Sequence, residues 1–321
     1  MSEIAERLLA GEQRALSRLI TLLERGDPAA AEAMKVVDGH TGRAYTVGIT
    51  GPPGSGKSTI ADQLTQLVRE TGSKVGMIAV DPTSPFSGGA FLGDRIRMQR
   101  HYLDSGVFIR SVATRGQTGG LPRIVKSMVR ALDAAGTDLI LVETVGVGQT
   151  ELGILSVADT VLVTLNPESG DAIQTLKAGV MEIADVYVVN KADRDGANQM
   201  AAAITGMLHM ATVSPKWSPP VLLTAANSGQ GIEDLWHKIQ DHREFLTNSG
   251  GLEDRRKSRR KREFVEAVEE VLAQRLRDKV ENDPELNAAL EKVASKESDP
   301  YSAALEYLES SLFSSDWLDS R

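Results

Sequence analysis

Cysteine is missing altogether from the 321 residues. That excludes disulfide bridges, thiolate metal sites and cysteine nucleophiles at one stroke. Histidine is sparse: His40, His101, His209, His237 and His242 are scattered, with no cluster at ligand spacing, which weakens a metal-delivery role. No apolar run approaches the roughly 20 residues that span a bilayer. The N-terminal MSEIAERLLAGEQRALSRLITLLERGD is charged and amphipathic and has no apolar signal core. A cytoplasmic location without membrane contact is therefore expected. A basic excess is lacking too: 36 Lys and Arg against 44 Asp and Glu leave a net charge of -8, so nucleic acid is not the expected partner.

The rest of the composition is that of an ordinary soluble protein, with room for one large domain carrying extensions or for two domains. Apolar residues at helical spacing (Ile4, Leu8, Leu9, then Leu16, Leu19, Ile20, Leu23) predict two short helices broken near Gly11 and ending at Gly26, with a third over 28–37. The period then changes. YTVGIT (45–50), KVGMIAV (74–80), VFIRSV (107–112), DLILVET (138–144), TVLVTL (160–165), VYVVN (186–190) and VLLTA (221–225) are short apolar runs, mostly separated by helix-length segments. Apolar strands alternating with helices predict an α/β fold with a mostly parallel central sheet flanked by helices. A Gly/Ser break near 249 and a basic run, Arg255 to Arg262, then lead into another helical pattern, with a last helix around 301–313. The expected organisation is an N-terminal helical extension (1–42), a nucleotide-binding domain (43–245) and a C-terminal helical extension (246–321). The basic run reads either as a solvated helix face or as a docking patch for an acidic partner or a sister subunit.

The stretch GPPGSGKST, 51–59, fits G-x-x-x-x-G-K-[ST]. Glycines let backbone N–H groups turn inward as an anion nest, and the following helix points its positive end at the same place. Gly51, Pro52, Pro53, Gly54, Ser55, Gly56, Lys57, Ser58 and Thr59 are thus the expected phosphate cradle. Lys57 is expected to reach the β- and γ-phosphates and Ser58 to ligate Mg²⁺. Downstream, the strand VYVVN runs into Asn190, Lys191, Ala192 and Asp193. A carboxylate at Asp193 can accept from both N1–H and the 2-amino group of guanine, donors that adenine does not present there. Asn190 is expected to brace the loop and the Lys191 stem to cover the base. TAAN (224–227) is placed to offer N–H groups from Ala225 or Ala226 to guanine O6, with Asn227 beside them. GTP and GDP are the expected ligands.

Three acids complete the expected site. Asp81 ends one strand, Glu143 ends another, and Asp94 lies in a Gly-rich segment. Oxygen ligands of this kind suit Mg²⁺; each acid taken alone also reads as an N-cap or a solvated loop charge. Lys57, Asp94 and Glu143 are the candidates for acting on the reacting phosphate, and Ser58, Asp81, Asp94 and Glu143 for the metal. Gly146 is placed to offer its N–H to the γ-phosphate. Signalling GTPases put a water-orienting glutamine directly after that glycine; here Val147 follows, and the nearest glutamine is Gln149. Slow intrinsic hydrolysis, completed by a partner, is the consequence. Arg95 and Arg115 read either as charge stabilisers or as members of surface ion pairs.

Together, GITGPPGSGKST, VDPTSPFSGGAFLGDRIRM, TRGQTGGL, ILVETVGVGQTE and VADTVLVTLNPESGDAIQTLKAGVMEIADVYVVNKAD resemble the MeaB/ArgK-type P-loop GTPases associated with methylmalonyl-CoA mutase, over about 45–245. The resemblance implies a chaperone that docks on an adenosylcobalamin-dependent acyl-CoA mutase, gates cofactor loading and guards the mutase against inactivation. It also implies a homodimer held by the C-terminal extension, and nucleotide and Mg²⁺ roles for Lys57, Ser58, Asp81, Asp94 and Glu143. The segment 170–185, with Lys177, resembles an element linking nucleotide state to the mutase. Thr118 and NPESGD depart from the family pattern and put the strength of coupling in doubt. A nickel or cobalt metallochaperone and a small-substrate kinase are the competing readings.

Overall fold

The seven apolar runs all become strands of one sheet: β1 (Tyr45–Thr50), β2 (Val75–Asp81), β3 (Val107–Ala113), β4 (Leu139–Glu143), β5 (Thr160–Leu165), β6 (Val186–Asn190) and β7 (Val221–Thr224). The structure, a computed structural model, describes residues 3–81, 99–113, 121–144, 150–168, 182–210, 216–280 and 283–312. The strand order is β3-β2-β4-β1-β5-β6-β7, and every pairing among these strands is parallel. The expected α/β P-loop fold with helical extensions is what forms. Strand β1, which leads into the phosphate-loop motif, lies at the centre, with the ends of β4 and β5 on either side.

Period-two alternation sends the two halves of β1 to opposite faces. Tyr45, Val47 and Ile49 pack with Ile60, Leu64 and Val68 of α4 (Lys57–Glu70) and Leu235 and Ile239 of a later helix, Ile232–Asn248. On the other face Gly48 leaves room for the segment after β4: a Cβ there would come within 2.3 Å of the Ile154 side chain. Helices α1 (Glu3–Leu9), α2 (Gln13–Arg25), α3 (Pro28–Asp38) and α5 (Arg123–Ala134) close this second face through one continuous cluster. Local chemistry sets the ends of these helices. Gly26, at φ 67, terminates α2, and its N–H reaches the Leu22 and Leu23 carbonyls. Asp27 then caps α3, accepting from the Ala29 N–H at 2.8 Å just ahead of Pro28 at the first turn.

A short helix, α6 (Thr150–Gly153), follows β4; α7 (Ala197–Met210) follows β6, and α8 is the Ile232–Asn248 helix. The chain divides into two compact units, residues 1–256 and 257–321. Helix α9 (Gly251–Val280) begins in the first, and the second also holds α10 (Pro284–Ala294) and α11 (Pro300–Leu312). No helix among the described residues is long and apolar enough to cross a membrane.

Two members of the basic run pair with carboxylates at the roots of strands. Arg256 grips Asp159, at the root of β5, with Nε at 3.2 Å and Nη2 at 2.6 Å, and also donates to the Gly42 and Ala44 carbonyls. Arg255 grips Asp185, at the root of β6, at 3.2 Å, and reaches the Asp159 carbonyl at 3.1 Å. Asp185 also faces His242 Nε2 at 3.2 Å and accepts from the Val161 N–H at 2.9 Å.

Burial by itself would raise the Asp185 carboxyl; His242 and Arg255 outweigh it and hold the group below the ordinary carboxylate range. A depressed folded pKa means the ion pair contributes fully above the unfolded value of about 4, and that contribution is lost as pH falls through the folded one. Arg255→Ala is therefore expected to lower stability by about 1–2 kcal/mol at pH 7, allowing for the half-exposed guanidinium. The difference from the parent protein should shrink toward pH 2. Urea unfolding at both pH values checks this, and an equal loss at each would contradict the ion pair.

Candidate active site

The loop between β1 and α4 takes its shape from three glycines with left-handed backbone: Gly51 (φ 136), Gly54 (φ 73) and Gly56 (φ 93). Two of them also answer to their neighbours. A Cβ on Gly51 would sit 2.0 Å from the Thr164 carbonyl oxygen, and one on Gly56 would sit 2.1 Å from Asn190 Nδ2. Ser55, Lys57 and Ser58 are all buried. Lys57 Nζ lies over the loop, donating to the Gly51 carbonyl at 2.8 Å and the Pro52 carbonyl at 3.0 Å. Its ammonium is thereby held among loop oxygens at the positive end of α4.

Ser58 Oγ donates to Glu143 Oε1 at 2.7 Å. Glu143 is locked at the end of β4 by its neighbour, since Thr144 donates from Oγ1 to Thr50 Oγ1 at 2.8 Å and from its N–H to the Ile49 carbonyl at 3.0 Å. Asp81, buried at the end of β2, is on the strand adjacent to β4, where Ala79 pairs with Glu143. A hydroxyl and two carboxylates, gathered at neighbouring strand ends beside the loop, form a hard oxygen donor set that fits Mg²⁺. Asp94 and Gly146 lie outside the described residues, as do Arg95, Arg115, Val147, Gln149, Lys177 and Thr118.

Asn190 ties the second half of the site together. Its Nδ2 donates to the Ser55 carbonyl at 2.9 Å, and its Oδ1 accepts from Thr224 Oγ1 and from the Ala226 N–H, both at 3.1 Å. One side chain thus joins the phosphate loop, the end of β6 and the turn after β7. Lys191 follows at φ 60, a left-handed conformation uncommon outside glycine, and its Nζ pairs with Glu168 Oε2 at 3.0 Å. Arg194 pairs with the same carboxylate. Asp193, two residues after Lys191, is exposed.

The Ala225 N–H donates to the Gln230 carbonyl at 3.0 Å, and the Ala226 N–H is the one taken by Asn190. Both groups expected at a base oxygen are thus used inside the protein, because the turn after β7 needs them to close. Asn227, exposed at the next position, stands where the turn opens to solvent.

Sequence reasoning passed over two groups. Asn166, at the end of β5, donates from Nδ2 to the Gly54 carbonyl at 3.0 Å. Asp62, on the inner face of α4, pairs with Arg100 and faces His101 Nε2 at 3.0 Å. The position of Asn166 at a strand end was its one available signal; Asp62 had none beyond being a polar residue in a mostly apolar helix face.

The family described as methylmalonyl-CoA mutase-associated GTPase MeaB matches residues 16–281. The chain belongs to the MeaB family. It is 48% identical over 307 residues to a Pyrococcus abyssi protein whose name places it among the GTPases, with 95% of this chain and 94% of that one covered. GTPase ArgK of Escherichia coli is 36% identical over 261 residues, 79% of each chain. The mouse protein named methylmalonic aciduria type A homolog, mitochondrial, is 32% identical over 294 residues, covering 81% of this chain and 71% of that one. Among solved structures, one described as a LAO/AO transport system kinase superposes with a TM-score of 0.71 at 27% identity, over 96% of both chains. As a MeaB-family P-loop GTPase, the protein binds guanine nucleotide and hydrolyses GTP.

Proposed function

We propose that this MeaB-family GTPase is a chaperone of an adenosylcobalamin-dependent acyl-CoA mutase of the methylmalonyl-CoA mutase type. GTP hydrolysis gates loading of the mutase cofactor and protects the mutase from inactivation. The observation that carries this reading is the family match over 16–281, to a family described as mutase-associated. The mouse relative's name, which speaks of methylmalonic aciduria, supports it.

In this reading residues 51–59 cradle the phosphates and Lys57 meets the β- and γ-phosphates. Ser58, Asp81, Asp94 and Glu143 hold Mg²⁺, whose charge offsets that of the phosphates when it is bound. Water attacks the γ-phosphorus in line, a P–O bond forms, the β–γ bridging bond breaks, and GDP leaves with phosphate. Gly146 donates its N–H to the γ-phosphate. Asp193 reads the guanine edge, Lys191 covers the base, and Asn227 replaces Ala225 and Ala226 as the source of the donor to O6. Val147, after Gly146, cannot orient water, so a partner is needed to complete the site.

A homodimer is part of the same proposal. Within the second unit, Phe264, Val268, Val271, Leu272 and Leu276 are exposed at helical spacing along α9, Phe264 by 71%. An apolar stripe of that kind is commonly covered by another chain.

The test is GTP turnover, with ATP as control, alone and with a purified adenosylcobalamin-dependent acyl-CoA mutase from the same source. Slow GTP turnover that rises severalfold on adding the mutase is expected. GTP turnover indifferent to every such mutase would leave the GTPase and remove the chaperone reading.

A further inference from the structure

The end of β5 does more than complete the sheet. The Thr164 carbonyl lies under Gly51 so closely that a Cβ would come within 2.0 Å of it. Two residues on, Asn166 is 4% exposed and donates to the Gly54 carbonyl at 3.0 Å. Asn190, from the neighbouring strand β6, donates to the next carbonyl along, that of Ser55, at 2.9 Å. Two buried amides on adjacent strands therefore hold two consecutive carbonyls of the phosphate loop.

The consequence follows from peptide geometry. In a trans, planar peptide the N–H points opposite to the C=O. Holding the Gly54 carbonyl toward Asn166 aims the Ser55 N–H to the other side, and holding the Ser55 carbonyl toward Asn190 does the same for the Gly56 N–H. The Ser55 N–H and Lys57 Nζ both donate to one atom, the Pro52 carbonyl oxygen, at 3.3 and 3.0 Å, a neutral acceptor weaker than an anionic phosphate oxygen. The Ser55 N–H thus shares the side of the loop on which the lysine ammonium lies. A donor fixed before the anion arrives loses little freedom when it binds, which is where pre-organised sites gain affinity.

We propose that Asn166 is a positioning residue for the nucleotide site. It fixes the Gly54–Ser55 peptide so that its N–H faces the diphosphate portion of GDP and GTP. Asn190 shares this task and is in addition tied to the base-side turn through Thr224 and Ala226. The bond that Asn166 donates is to the phosphate loop itself, at the Gly54 carbonyl, so its influence is expected on phosphate and not on the base. The proposal rests on reading residues 51–59 as the phosphate cradle.

The experiment uses the full-length protein with Asn166→Asp, which is isosteric and lacks the amide donor, and Asn166→Ala. Affinities for GDP and for inosine diphosphate are measured by titration, alongside the melting temperature without nucleotide. Loss of one positioned hydrogen bond corresponds to about tenfold in affinity. The expected result is a Kd for GDP raised about tenfold in both variants, an unchanged ratio of the two affinities, and a melting temperature within about 2 °C of the parent. An unchanged Kd in a folded variant overturns the proposal. So does a changed base preference, or a loss of affinity accompanied by a lower melting temperature, which would mark a merely structural asparagine. Lys57→Ala is run beside them. If it too binds GDP and GTP like the parent, the phosphate-cradle reading itself has failed, and not only the role of Asn166.

Discussion

Lys57→Ala is expected to lower kcat/KM for GTP by roughly 10²–10³-fold, the range for losing one preorganised charge or donor at a transition state. The loop offers few charges to share that loss. Lys57 is the only basic residue in 51–59, and it is buried, with its ammonium brought over the loop by the Gly51 and Pro52 carbonyls. Anionic oxygens of a bound triphosphate are stronger acceptors than those neutral carbonyls, so the same ammonium is available to them at no cost in reorganising the helix. Lys57→Arg should not restore activity, because a planar guanidinium on a longer stem cannot occupy the space of an ammonium enclosed by two loop carbonyls. Phosphate release under single-turnover conditions, with the melting temperature as a fold control, checks both variants. Activity within fivefold of the parent in Lys57→Ala would remove this residue from the site.

Asp193→Asn should change which base is accepted, and by a comparable factor. Guanine presents two donors, N1–H and the 2-amino group, and a carboxylate can accept both; an amide offers one acceptor and one donor. The variant is expected to lose about 10²-fold in preference for GTP over inosine triphosphate and to gain affinity for xanthosine triphosphate, whose 2-oxo group accepts where guanine donates. Asp193 is exposed, which keeps the effect below that of a fully buried reader. Competition against labelled GDP measures the three affinities. An unchanged order of preference would take base reading away from Asp193.

The two sites of largest effect were legible because their signals are local. Three glycines in six residues demand left-handed backbone, and Gly51, Gly54 and Gly56 have it. The apolar runs 45–50, 160–165 and 186–190 were bounded to the residue, since their burial on both faces leaves continuous apolar stretches with sharp edges. The N-K-A-D segment begins at the last residue of β6, where the apolar run 186–190 puts it.

What stayed hidden joins residues far apart in the chain. Asn166 reaches Gly54 across 112 positions, and Asn190 reaches Ser55 across 135. Arg255 and Arg256 meet Asp185 and Asp159 across 70 and 97. A basic run in an acidic protein looks like solvated charge until a strand order is known that puts two buried carboxylates at its foot. The turn after β7 is set from a distance in the same way: the Ala225 and Ala226 N–H groups are directed by Gln230 and Asn190.

By itself, then, the chain's sequence determined the α/β class, the glycine-shaped loop of 51–59 and the family, because periodicity, left-handed glycines and short motifs are properties of neighbouring residues. Tertiary structure alone decided which side chains hold the loop's carbonyls and which arginines pair with Asp185 and Asp159 at the roots of β6 and β5. A hydrogen bond between distant residues is specified by where the sheet places them, and no local pattern carries that information.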